Sequence, residues 1–264
     1  MLRFVFLVVV AGGVAASAQG PSQGPKRDGD IAPTVRVAAA ADLKFALDEM
    51  AARLAGRQRP IRVDTTYGSS GTMHAQLRQR APFDVYLSAD VEYPRDLVSR
   101  GIGSERDLFT YAIGRLVVWM PRGSRLAVER EGLGALAGAR VAIANPRHAP
   151  YGRAAEAALR HAGIWGRVSG RVVLGENVAQ AAQFVQSGAA DAGIIAKSLA
   201  LAPAMRGAGR FWEIPEAAHA RLTQGGVILP WAVSREAAIR FRDYVLGEEG
   251  RQLLAAYGFD LPAR

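Results

Sequence analysis

The sequence predicts an α/β protein: a clamshell of two lobes, each a mostly parallel sheet flanked by helices, joined by two crossing strands. Three observations lead there. Short apolar runs alternate with stretches of helical periodicity, as parallel strands alternate with the helices that connect them. Several helical stretches open on small or polar residues directly after a strand, at 39–42, 67–72, 151–152 and 176–177. Two apolar strands, 113–120 and 227–233, stand where one would lead out of a first lobe and the other return to it. On that plan residues 34–112 and 225–264 form lobe 1, and residues 113–224 form lobe 2.

The elements follow in order. A strand over 35–41 runs into a helix over 42–55, where Leu43, Leu47, Met50 and Leu54 repeat at helical spacing. A strand over 61–66 precedes a helix over 73–80, and a strand over 83–87 ends at Ser88. The Ser88 hydroxyl is expected to cap a helix over 89–100, which Gly101 stops. Beyond the crossing strand come a strand over 140–145, a helix over 153–162 ended by Gly163, a strand over 172–174, a helix over 177–187 and a strand over 191–196. Pro203 and Pro215 turn the chain, a strand over 226–234 returns it, and helices over 237–246 and 248–257 complete it.

The first residues read as an export signal. Arg3 precedes an apolar run over 4–14 that is too short to span a membrane, and Ala16-Ser17-Ala18 has the small-x-small form of a cleavage site. Residues 1–18 are therefore expected to be a cleavable signal peptide and residues 19–33, rich in Gly, Pro and Ser, a disordered leader, giving a periplasmic protein. The chain contains no Cys, which excludes disulfides, thiolate metal sites and a Cys-linked lipid anchor. Its net charge of +9 is spread out, with no basic run and no aromatic-interleaved stripe, so nucleic acid is not an expected partner. His74, His148, His161 and His219 have no second ligand at metal spacing, and no cofactor is expected. Gly68-Ser69-Ser70-Gly71 is not a G-x-S-x-G elbow and no Ser, His and acid set can be assembled, which argues against a secreted hydrolase.

Helix starts after strands carry the chemistry. The first backbone N–H groups of a helix have no partner within it and lie at the positive end of its dipole, so they favour an anion. In open α/β sheets such ligands bind beyond the carboxyl ends of the strands, here on both sides of an interlobe cleft.

Six segments give this reading a family resemblance: Ala39-Ala40-Ala41-Asp42-Leu43, Gly68-Ser69-Ser70-Gly71, Ala81-Pro82-Phe83-Asp84-Val85-Tyr86-Leu87-Ser88-Ala89-Asp90, Asn145-Pro146-Arg147-His148-Ala149-Pro150-Tyr151-Gly152, Gly175-Glu176-Asn177-Val178 and Tyr257-Gly258-Phe259. In this order they resemble the periplasmic molybdate-binding proteins of ABC importers, within the type II periplasmic binding proteins. The resemblance implies a clamshell that captures molybdate, and tungstate with it, and hands it as a monomer to a membrane permease driven by a cytoplasmic ATPase. It implies that molybdenum enters only as its oxyanion, at Asp42, Ser70, Tyr151 and Val178, with no side chain ligating the metal itself. Ser70 matches a serine that offers hydroxyl and N–H, while Tyr151 and Val178 match backbone donors.

Two positions depart from the pattern. Asp42 replaces a common Ser, and Ala196 replaces a common Tyr whose hydroxyl donates to the anion. A carboxylate about 4 Å from an anion costs on the order of 4 kcal/mol per unit charge at intermediate dielectric. Asp42 is therefore expected to act as an N-cap turned aside, to accept from a protonated ligand oxygen, or to pair with Lys197, whose ammonium could replace the lost hydroxyl. Another tetrahedral oxyanion, of the sulfate or phosphate type, is the alternative ligand.

Overall fold

The computed structural model describes residues 32–263, so the expected signal peptide and all but the end of the leader lie outside the described residues. β1 (Thr34–Ala40) leads through a 3-10 turn (Ala41–Leu43) into α1 (Lys44–Ala55), β2 (Arg62–Gly68) into α2 (Ser70–Arg78), and β3 (Val85–Ser88) into α3 (Glu92–Ser99). β4 (Leu108–Gly114) and β5 (Leu116–Pro121) follow with only Arg115 between them. A one-turn helix, α4 (Val128–Glu131), precedes β6 (Val141–Ala144), which feeds α5 (Pro150–His161); the short α6 (Trp165–Val168) leads to β7 (Val172–Gly175) and α7 (Val178–Gln186). Next come β8 (Ala192–Ala196), α8 (Lys197–Ala200), α9 (Pro203–Arg206) and β9 (Gly209–Glu213), and then β10 (Leu222–Ile228), α10 (Arg235–Leu246) and α11 (Glu248–Ala256).

The strands form two five-stranded sheets of the same design, in the orders β2-β1-β3-β10-β4 and β7-β6-β8-β5-β9. In each, three neighbouring strands run parallel and one strand, β10 or β5, runs against them. The expected α/β architecture of two sheets flanked by helices is thus the observed one. The apolar faces explain it. Val35, Val37, Leu47, Met50, Val85 and Phe241 fill one face of the first sheet, and Ala38, Leu77, Tyr86 and Leu97 the other. Val117, Trp119, Val141, Ile143, Leu159 and Ile194 form the core of the second.

The crossings differ from expectation. The strand expected over 113–120 is two strands in different sheets, β4 and β5, which part at Arg115. The return lies over 214–221, not 227–233, because β10 already belongs to the first sheet from Leu222, which pairs with Gly114. The strand expected over 226–234 starts earlier, at Leu222, and ends at Ile228; Gly225 and Gly226 lie inside it, where a Cβ on Gly226 would meet Phe109 Cζ at 2.6 Å, so close packing requires glycine there. The edge strand β9 went unforeseen, since all five of its residues are only half-buried and show no alternation. Ser88 does not cap a helix: its hydroxyl bonds within the loop to Asp90, and α3 begins at Glu92.

Candidate functional site

The carboxyl ends of β1, β2, β6 and β7 converge on a small cavity of about 10 Å³, lined by Ala40, Ala41, Asp42, Gly68, Ser69, Ser70, Ala89, Ala149, Pro150, Tyr151, Asn177 and Val178. That is room for about one water. No Lys or Arg lines it.

Three helix starts are arranged alike, and each leaves one N–H unspent. In α2 the N-cap Ser69 hydroxyl accepts from Thr72 N–H at 3.3 Å, and Gly71 N–H goes to the His148 carbonyl at 2.9 Å. The N–H of Ser70, the first helical residue, is left over. In α7 the Asn177 Oδ1 accepts from Ala179 and Gln180, both at 3.0 Å, and Val178 N–H is left over. In α5 Pro150 has no N–H, while those of Gly152 and Arg153 go to the Ala149 carbonyl at 3.0 and 3.1 Å, leaving Tyr151 N–H. Ser70 adds a hydroxyl: its Oγ accepts from Ala89 N–H at 3.0 Å, which leaves its own proton to donate.

Asp42 is not a helix N-cap. It lies inside the 3-10 turn, 1% exposed, with no cap hydrogen bond. Gln224 Nε2 donates to its Oδ2 at 2.6 Å and also reaches the Tyr151 hydroxyl at 3.2 Å, so a buried polar cluster joins β10, the 3-10 turn and α5. Asp42 Oδ1 and Gln224 Oε1 have no hydrogen-bond partner among the described residues. Burial pushes the Asp42 carboxyl up to about 6, against the opposing pull of Gln224, the Tyr151 hydroxyl and the N–H groups of Asp42 and Leu43. Gly114 makes room for this cluster, since a Cβ there would lie 2.2 Å from the Tyr151 hydroxyl.

Four of the six residues singled out from sequence, Asp42, Ser70, Tyr151 and Val178, therefore line one cavity. Ala196 is buried at the end of β8 opposite Leu116 and does not line it. Lys197 neither pairs with Asp42 nor stands in for the hydroxyl donor: its ammonium donates to Glu213 on β9 at 2.5 Å. Sequence reading missed Gln224 and the Tyr151 side chain. The only signal for Gln224 was an uncharged amide beside two glycines, which proves to be a β-bulge between Gln224 and Gly225.

Further contacts cross the cleft. Ser69 Oγ meets His148 Nδ1 at 2.8 Å, and Arg153 donates to Asp90 at 2.6 Å and to the Tyr93 hydroxyl at 3.0 Å. Elements of both sheets thus meet around the cavity in a closed arrangement.

Residues 35–260 match the family model of bacterial extracellular solute-binding proteins. The chain belongs to this family. As a solute-binding protein it is 32% identical over 227 residues to the molybdate-binding protein ModA of Azotobacter vinelandii, covering 86% of this chain and 90% of that one. It is 31% identical over 201 residues to ModA of Rhodobacter capsulatus, covering 75% and 77%. Its structure is similar to that of the periplasmic molybdate-binding protein of A. vinelandii, with a TM-score of 0.81 at 31% identity over 87% of this chain and 100% of the other. The sulfate-binding protein SubI of Mycobacterium tuberculosis, at 16% identity and a TM-score of 0.70, covering 86% of each chain, shares the fold. Family membership places this solute-binding protein outside the cytoplasm.

Proposed function

We propose that this solute-binding protein captures molybdate, and tungstate with it, between its lobes and delivers the anion to the membrane permease of an ABC importer. One observation carries the reading: three helix starts, contributed by both sheets, each offer a single spare N–H to one small cavity that contains no cation. Such a cage suits a tetrahedral oxyanion whose oxygens need donors from several directions. The similarity to molybdate-binding proteins over most of the chain supports the choice of anion. A signal-directed periplasmic location, a monomeric state and action without turnover belong to the same proposal.

Capture then follows from closure. The anion meets Ser70 and the 3-10 turn on the first lobe, and the N–H groups of Tyr151 and Val178 complete the cage when the second lobe closes. Asp42 Oδ1 favours a second reading, because a free buried acceptor suits an anion that brings its own proton, such as hydrogen phosphate.

The test is the melting temperature with molybdate, tungstate, sulfate, phosphate or no ligand at equal ionic strength. Ligand at 100 times its Kd adds about 2.7 kcal/mol, a shift of several degrees. A shift with molybdate and tungstate alone is expected; a shift with phosphate alone selects the second reading, and no shift withdraws both.

A further inference from the structure

The cage that suits a dianion holds a carboxylate in its wall, and the carboxylate has nowhere to turn. Asp42 Oδ2 is tied to Gln224 Nε2 at 2.6 Å, while Oδ1 is buried and unpartnered in a residue that lines the cavity. A charged Oδ1 would repel the ligand, whereas a protonated one would donate to it.

We propose that one proton enters the cleft with each dianion and rests on Asp42 Oδ1, which donates it to a ligand oxygen. The inference rests on the molybdate reading above. The proton comes from solvent: an ionised Asp42 carboxylate, a proton and the dianion combine to a neutral carboxyl hydrogen-bonded to the dianion, and no covalent bond of the ligand changes.

The surroundings supply no cation that would keep Asp42 charged. The titratable groups facing it are the hydroxyls of Tyr151 on α5 and Tyr111 on β4, and both of these stay protonated because burial raises them well above their usual range. β10 contributes the uncharged Gln224, and the start of α7 has only Asn177 and Val178. On α8, Lys197 is held by Glu213; on α1, Lys44 is exposed and paired with Asp48 at 2.9 Å. Burial outweighs the pull of the surrounding donors and already lifts the Asp42 carboxyl to about 6, and a neighbouring dianion moves it further in the same direction.

The experiment is isothermal titration of sodium molybdate into the intact protein, in two buffers of different ionisation enthalpy, at steps between about pH 7 and 8.5. Uptake of close to one proton per bound anion is expected, with Kd rising about tenfold per pH unit. For Asp42→Asn, proton uptake and pH slope vanish, and at the top of the range the variant binds at least tenfold more tightly than the wild type. Molybdate binding by the wild type with no proton uptake and a flat pH profile overturns the inference and leaves the molybdate reading standing. Proton uptake that survives in Asp42→Asn overturns the assignment to Asp42. Absence of molybdate binding at every pH overturns the molybdate reading and this inference together. The wild-type proton count decides the matter even without the variant.

Discussion

Asp84 and Asp42 are both buried carboxylates of the first lobe, and they respond to acid in opposite directions. Burial disfavours the Asp84 charge, but the Arg36 guanidinium at 2.9 Å and the N–H groups of Arg36 and Val233 outweigh it and hold the carboxyl below the usual range. Its contribution is therefore present above the unfolded value of about 4 and lost as pH falls through the lower folded value. Asp84→Asn is expected to lower stability by about 2 to 3 kcal/mol at neutral pH and by much less in acid, read from urea midpoints at both. Asp42 is raised instead, to about 6, so its contribution is present below about pH 4 and lost as pH rises through the folded value. Ligand-free Asp42→Asn is accordingly expected to gain stability at pH 8 relative to the wild type and none in strong acid. Ser70 acts on the ligand directly. Ser70→Ala removes a hydroxyl proton from a closed cavity and is expected to weaken molybdate binding by roughly 1 to 3 kcal/mol, measured by calorimetry.

At the scale of elements, the junctions where strands hand over to helices were legible because their signals are local, although α2 and α5 begin at Ser70 and Pro150, three residues before the expected starts. Ser69 and Asn177 are cap residues beside a strand end, and Pro150 fits the first turn of a helix without help from the rest of the fold. The first strands and the long helices were legible for the same reason, through apolar spacing. Distant pairing was not. Nothing near Lys197 in sequence announces Glu213, which only the β8-β5-β9 order brings alongside, and Gln224 acquires its role from a bulge that re-aims one side chain toward another lobe. Gly71 shows a requirement that only closure reveals. A Cβ there would lie 2.6 Å from the His148 carbonyl oxygen and 2.8 Å from the Tyr93 hydroxyl, both across or beside the cleft. Alanine is the better helix former, by about 1 kcal/mol. Gly71→Ala is therefore expected to leave the ligand-free melting temperature unchanged or higher while shrinking the shift produced by molybdate, a combination that a simple folding defect does not produce.

Across the whole molecule, two sheets of one design place their strand ends face to face, and the links between them include the cluster of Asp42, Gln224 and Tyr151, the bonds to His148, the Ser198 hydroxyl on the Asp42 carbonyl, and Arg153 with Asp90 and the Tyr93 hydroxyl. The cavity they enclose is free of Lys and Arg, although the chain carries a net charge of +9. Arrival and departure of an anion then answer to different forces. The approaching anion feels the distributed surface charge, which salt screens over a Debye length of about 10 Å at 0.1 M. The enclosed anion is held by neutral N–H and O–H dipoles that salt does not reach. In stopped-flow experiments, raising sodium chloride is expected to slow association several-fold and leave the dissociation rate unchanged, so that the lifetime of the loaded protein is the same in dilute and in saline surroundings.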